Sequence, residues 1–275
     1  MSDDRYRFNI GSFECIAIKD SEVKVDSQQV FSNKDRSEIQ PFLKARGEKS
    51  EEIVLSYTAL AIFSDDWVLI DAGIGNLGDH TGQLAHILDD EDIRPEHIIL
   101  THAHTDHFGG LVDADGTEAF GNVPIYMCQN EWLMSKSNDY AIENPRRATL
   151  IQDYLIPIER QIEPIECLNM NEILPGISVL RLPGHTAYHI GLLIESENDT
   201  LIYTSDAMIH PLHLEHLDWE CGFDADATQA RDSRIKLAEL AIELNAKVMS
   251  YHFAFPSIGR IKRNGDGYQW VAETQ

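Results

Sequence analysis

Thr101-His102-Ala103-His104-Thr105-Asp106-His107-Phe108-Gly109-Gly110 follows directly on the apolar run His97-Ile98-Ile99-Leu100. Histidines 102, 104 and 107 and Asp106 therefore crowd into a few residues at the end of a short strand. An extended backbone alternates its side chains, so His102 and His104 point the same way and can share one ion. The turn that follows swings Asp106 and His107 toward a second. Imidazole and carboxylate suit zinc and its neighbours, and the absence of a nearby cysteine fits a catalytic site better than a closed structural one. The glycine pair lets the backbone pass close to such ions and open the next helix.

Three more ligand-type residues stand in comparable places. Pro183-Gly184-His185-Thr186 follows the apolar strand 179–182, Ser205-Asp206 ends the strand 200–204, and Tyr251-His252 ends the strand 246–250. Loops at strand ends are where sites are assembled. Elsewhere the pattern predicts strands over 8–18, on both sides of the turn Ser64-Asp65-Asp66, over 123–128 and 189–195, and at a closing Gly267-Tyr268-Gln269-Trp270-Val271. Leu84, Ile87 and Leu88 lie at helical spacing, as do residues of a long amphipathic helix over 228–244 and shorter helices at 129–135 and 145–156. The polar stretch 32–52 reads as a loop or short helix lying over something else. Strands that alternate with helices yet also pair as hairpins predict a mixed sheet-on-sheet core with helices outside.

The pattern H-x-H-x-D-H followed by His185, Asp206 and His252 resembles the metallo-β-lactamase superfamily, as does the upstream segment Val68–Gly75 with Asp71 and Gly73. The resemblance implies an α+β fold, a four-layer αβ/βα sandwich of two mixed β-sheets flanked by helices. It also implies two divalent metal ions, zinc first and manganese, cobalt or iron as substitutes. His102, His104 and His185 would hold one ion, Asp106, His107 and His252 the other, and Asp206 would bridge them. Two ions about 3.5–4 Å apart hold a hydroxide between them at near-neutral pKa, which defines a hydrolase with Asp106 and Asp206 as catalytic carboxylates. The tail 251–271 and the segment Asp206–Pro211 resemble the branch of methyl parathion hydrolase and lactonase-like enzymes. Quorum-quenching lactonases often place a tyrosine three residues after the bridging aspartate, where this chain has Ile209. The implied substrate is thus a lactone, carboxylic ester or organophosphate ester outside the standard homoserine-lactonase pattern.

Phe108, Ile209, His210 and Trp219 neighbour the motif residues and are candidates to line the substrate pocket, while Asp71 and Thr186 are candidates to orient ligands. His210, His213 and His216 are evenly spaced, but offsets of three and six align poorly on a helix and Pro211 disrupts one, so they read as substrate-side or surface residues. His80, His86 and His97 read as structural. The formal net charge of −24, from 22 Lys+Arg against 46 Asp+Glu, repels phosphate backbones and anionic membranes. It argues against nucleic-acid phosphodiesterase chemistry on the same scaffold, and there is no room for the electron-donor domain of a diiron redox protein. A filled ligand set disfavours a metal sensor. With 275 residues and no linker, one domain over 1–275 is expected. The N-terminus has no apolar h-region, and Cys15, Cys128, Cys167 and Cys221 form no C-x-x-C pair. Reduced thiols in a cytoplasmic protein are the expectation, with a small-molecule substrate, no membrane partner and a possible homodimer to which 32–52 contributes.

Overall fold

A computed structural model describes residues 4–77, 81–113 and 115–273; His80 lies outside them. Fourteen strands form two seven-stranded sheets among these residues. The first sheet runs in chain order: β1 (Arg5–Ile10), β2 (Phe13–Asp26), β3 (Glu52–Phe63), β4 (Trp67–Ile70), β5 (His97–Leu100), β6 (Ile125–Cys128) and β7 (Ile162–Ile165). The second holds β8 (Glu172–Leu174), β9 (Ile177–Arg181), β10 (Ile190–Ser196), β11 (Asp199–Tyr203), β12 (Lys247–Met249), β13 (Ile258–Asn264) and β14 (Gly267–Ala272), again with sequential neighbours paired. Both sheets are mixed: β4 through β7 are parallel, as are β11 and β12, and the other pairs are antiparallel. The α+β sandwich is therefore as the sequence led one to expect.

One core cluster fills the gap between the sheets, drawing Leu60, Ile62, Ile70 and Ile99 from the first and Val179, Leu192, Leu201 and Met249 from the second. Each sheet's outer face is covered by helices. Leu84, Ile87 and Leu88 of the helix Leu84–Asp90 pack on the first sheet with Phe108. On the second, the helix Ala227–Glu243 turns Ala230, Ser233, Arg234, Leu237, Ala238 and Ala241 inward. These recur at three- and four-residue steps, the stripe that a helix presents to a core. Asp226 caps it by accepting from the Gln229 amide at 2.9 Å.

The long strand β2 outruns the first sheet. Beyond a bulge between Lys19 and Ser21 it pairs with β3 alone, Val23 opposite Leu55 and Lys24 opposite Val54. The sequence reading ended this strand at Ile18, although Val23 and Val25 alternate with Glu22, Lys24 and Asp26. The segment 32–52 carries a helix, Arg36–Ala45, whose Ile39 and Leu43 are fully buried with Phe31 and Ile209. Its occupation is thus with its own chain.

The cysteines require a correction. Cys128 and Cys167, at the ends of the paired strands β6 and β7, form a disulfide with Cα atoms 5.5 Å apart, while Cys15 and Cys221 are free and buried. Strand pairing brings the two together across 39 residues, a register invisible in cysteine spacing. The ground for inferring a reducing compartment is thereby removed. No helix among the described residues is long and apolar enough to cross a membrane.

Candidate metal centre

The C-terminal ends of β4, β5, β9, β11 and β12 meet along one edge of the sandwich, and each delivers a piece of the site. Past β5, the chain enters the short helix Thr105–Phe108 with His104 extended before it, at φ −91° and ψ 149°. Gly109 and Gly110 follow this helix and open the short 3-10 helix Gly109–Leu111. Their role is close approach, since a Cβ on Gly110 would lie 2.1 Å from the Ala72 carbonyl oxygen. The Ala72 amide in turn donates to the His107 carbonyl at 2.7 Å. Gly184 serves the second sheet likewise: its φ is +134°, and a Cβ there would meet the Ala230 amide nitrogen at 2.1 Å. The loop carrying His185 thus lies flat against the start of the helix Ala227–Glu243.

Seven side chains converge as two groups of possible metal ligands, His102, His104, His185 and Asp206, and Asp106, His107, Asp206 and His252. Within each group the donor atoms lie within 4.8 Å of one another. Asp206 belongs to both. Its Oδ2 is 3.2 Å from His185 Nε2 and 3.1 Å from His252 Nε2, and its Oδ1 is 3.2 Å from His107 Nε2. His104 Nδ1 faces His185 Nε2 at 2.9 Å. Asp106 Oδ2 stands 3.6 Å from His252 Nε2 and 3.7 Å from His107 Nε2.

The outer nitrogens of these rings are held by the surrounding chain. His252 Nδ1 donates to the Ser56 carbonyl at 3.1 Å, and His107 Nδ1 lies 2.9 Å from Asp71 Oδ2. Asp71, at φ +58° just past β4, also accepts from the Thr101 amide and hydroxyl and from the Tyr203 hydroxyl. His185 Nδ1 is 3.3 Å from Asp224 Oδ1, and Arg234 donates to the other Asp224 oxygen at 3.0 Å, both side chains being fully buried. The His252 and His185 hydrogen bonds fix the tautomer that leaves the inner nitrogen free as a possible ligand, while Asp71 stands close to His107 Nδ1 without a hydrogen bond to it.

The donor set fits divalent cations. His102 Nε2, His107 Nε2 and Asp206 Oδ1 are buried without a hydrogen-bond partner. Buried polar atoms left so are costly unless an ion satisfies them. Burial holds His102 and His104 well below the ordinary imidazole pKa, so both are neutral, the form that binds a cation. Burial opposes charge at His107 as well, but Asp206, Asp71 and Asp106 outweigh it and raise its pKa. Burial pushes Asp206 up, and His252, His107 and His185 more than reverse this, leaving it ionised.

A cavity of about 190 Å³ opens over the ligands, walled by Val23, Val25, Leu55, Tyr57, Ile209 and Phe223, with Arg147 at its side. Ile209 lines it. Phe108 does not: it is fully buried under the helices of the first sheet, because the short helix that aims Asp106 and His107 inward turns Phe108 to the opposite side. His210 faces a neighbouring cavity of about 600 Å³, with Nε2 3.0 Å from Glu48 Oε2. The two cavities lie on opposite faces of the β2–β3 ribbon, Val23 and Leu55 toward the ligands, Lys24 and Val54 toward His210. Trp219 is away from the ligands, buried against Phe31, with His216 stacked on it at 4.4 Å. His213 is buried, not at the surface, and donates from Nε2 to the Val30 carbonyl. His86 lies beside Asp90 and His97 beside Tyr126.

Thr186 touches no ligand; its hydroxyl donates to Glu131, which also accepts from the Ala103 amide, tying the His185 loop to the 102–107 turn. Sequence reasoning missed Glu131, Asp224, Arg234, Arg147 and His189. His189 accepts from the Asp206 amide at Nε2 and donates to the Leu182 carbonyl; its spacing from His185 was the one available signal.

A two-sheet sandwich with paired histidine–aspartate ligand groups at its strand ends defines a class of metal-site proteins. The model of the metallo-beta-lactamase superfamily matches residues 54–245, and the chain belongs to that superfamily. It is 29% identical over 163 residues to an N-acyl homoserine lactonase of Bacillus sp., a match covering 56% of each chain. A Bacillus cereus N-acyl homoserine lactonase is 29% identical over 141 residues, 51% of this chain and 49% of that one. The chain thus spans about half the length of the curated relatives it matches. Among solved structures, the dizinc quorum-quenching lactonase AidC superposes with a TM-score of 0.90 at 22% identity, covering 100% of this chain and 99% of the other. The hydrolase AbOPH gives 0.90 at 19% identity, with the same coverage. These two likenesses speak to the fold.

Proposed function

We propose that this chain is a metal-dependent hydrolase that opens a lactone or carboxylic ester with two divalent cations, zinc in the first instance. The observation that carries this reading is the set of buried, partnerless donors His102 Nε2, His107 Nε2 and Asp206 Oδ1 beneath an apolar-walled cavity. The lactonase relatives favour lactones among the esters. His102, His104 and His185 would hold one cation and Asp106, His107 and His252 the other, with Asp206 between them. When bound, such a pair supplies Lewis acidity and water acidified to near-neutral pKa. The chain's own share is positioning and proton transfer. Val23, Val25, Leu55 and Ile209 hold the apolar part of the substrate and exclude bulk water. Asp106 is better placed than Asp206 to take a proton from the attacking water and pass it to the leaving alkoxide, because its side chain is 18% exposed against 3%. The chain is taken to act as one domain, since a single core cluster draws on both sheets. Organophosphate triesters are the second substrate class, on the resemblance of Asp206–Pro211 to the methyl parathion hydrolase branch.

The test is a hydrolysis screen over lactones, aryl esters and phosphotriesters with metal quantification on the same sample. Chelation is expected to abolish turnover and zinc, cobalt or manganese to restore it. His104→Ala is expected to lower kcat/KM at least about tenfold, by analogy with losses at groups that merely support ligands. Unchanged turnover in that variant overturns the reading.

A further inference from the structure

Among its described lining residues the cavity over the ligand groups contains one arginine, Arg147, and no lysine. With 46 acidic residues against 22 basic ones, carboxylates are abundant, and Arg36, Arg46, Arg160 and Arg234 each pair with one. Arg147 is half-buried, and among the described residues it pairs with no carboxylate. It projects from the helix Pro145–Leu150 near Tyr140, a neutral neighbour. Away from the ligand groups the same cavity is lined by hydrocarbon, Val23, Val25, Leu55 and Ile209 among it. A guanidinium in such surroundings presents planar donors matched to a carboxylate or similar oxyanion.

We propose that Arg147 is a specificity-determining residue that binds a carboxylate, or an equivalently charged oxygen group, on the substrate of the proposed hydrolase. This rests on the hydrolase reading and narrows it. The preferred substrate is an acyl ester or lactone whose apolar chain lies along the valine and leucine wall and whose anionic substituent reaches Arg147. The residue acts by binding and takes no part in bond cleavage.

Two measurements test this separately from the hydrolase reading. In the first, pentanoate and pentanamide are titrated calorimetrically into zinc-loaded and metal-free protein. Arg147→Met is expected to weaken pentanoate about tenfold, the scale of one charge-assisted hydrogen bond, with pentanamide unchanged. Arg147→Lys should retain most of the pentanoate affinity. Equal weakening of both probes, no weakening of pentanoate, or no binding of pentanoate by the parent protein overturns the proposal. In the second, 4-nitrophenyl esters of pentanoic acid and of glutaric acid monoanion are compared. Arg147→Met should raise KM for the glutarate ester about tenfold and leave kcat, and both constants for the pentanoate ester, nearly unchanged. A uniform fall in kcat for both esters would mean a structural role and sink the assignment. If the parent protein cleaves neither ester, lactone nor phosphotriester, the hydrolase reading fails, while the titration still decides whether Arg147 is an anion receptor.

Discussion

Asp206→Asn is expected to strip the site of bound metal and to lower kcat/KM by well over a hundredfold. Asp206 is the one side chain common to both ligand groups, and its two oxygens face His185, His252 and His107 at 3.1–3.2 Å. The amide fills the same volume but replaces an anionic oxygen by a donor, aimed at rings whose inner nitrogens must remain acceptors for a cation. Groups that merely support ligands already cost about 10–100-fold in metal affinity or activity when removed. A direct ligand shared by two ions should cost more. Metal quantification after dialysis and kcat/KM on the best substrate of the screen are the readouts, with circular dichroism to verify the fold. Full metal content with undiminished turnover would remove Asp206 from the mechanism.

Arg234→Met should have the largest effect on stability. The Asp224 side chain is completely buried between His185 Nδ1 and the Arg234 guanidinium, and no other cation among the described residues pairs with it. Deleting one partner of such a pair leaves an uncompensated interior charge, at a cost of about 3–5 kcal/mol. For a chain of this size that lowers Tm by about 6–20 °C. Because Asp224 also orients His185, affinity for the first metal should fall with it. The double variant Asp224→Asn, Arg234→Met removes the stranded charge and should recover much of the Tm but not the metal affinity. An Arg234→Met protein that melts with the parent would show that solvent or another group compensates Asp224.

The contrast between Asp206 and Asp224 marks what a single sequence reveals. His102 to His107 could be read because strand and turn geometry act locally, and His185, Asp206 and His252 because each ends an apolar strand. Asp224 ends nothing. It lies in a loop before a helix, and it reaches His185 because Gly184 closes onto Ala230 and the Ala225 and Asp226 amides donate to the His185 and Gly184 carbonyls. Glu131 reads as the solvated face of a short helix, yet it is buried beneath Thr186 and the Ala103 amide. Phe108 misled in the opposite direction, since adjacency along a helix turns neighbours to opposite sides. The Cys128–Cys167 pair depends on the parallel register of β6 and β7, which no local pattern encodes. The fold class was legible because apolar runs and turn residues recur at the intervals a mixed sheet requires. The extension of β2 was written just as plainly in its alternating valines.

That extension makes the substrate wall a partition whose two sides differ in polarity: valine and leucine toward the ligands, lysine and glutamate toward the His210 chamber. Side chains on a strand exchange faces when the backbone slips by one residue. The irregularity between Lys19 and Ser21 sets the phase of everything beyond it. Deleting or adding a single residue there would present Lys24 to the hydrolytic chamber in place of Val23 and Val25. A lineage carrying such an indel would exchange an apolar wall for a cationic one in one step, with both candidate ligand groups left where they were.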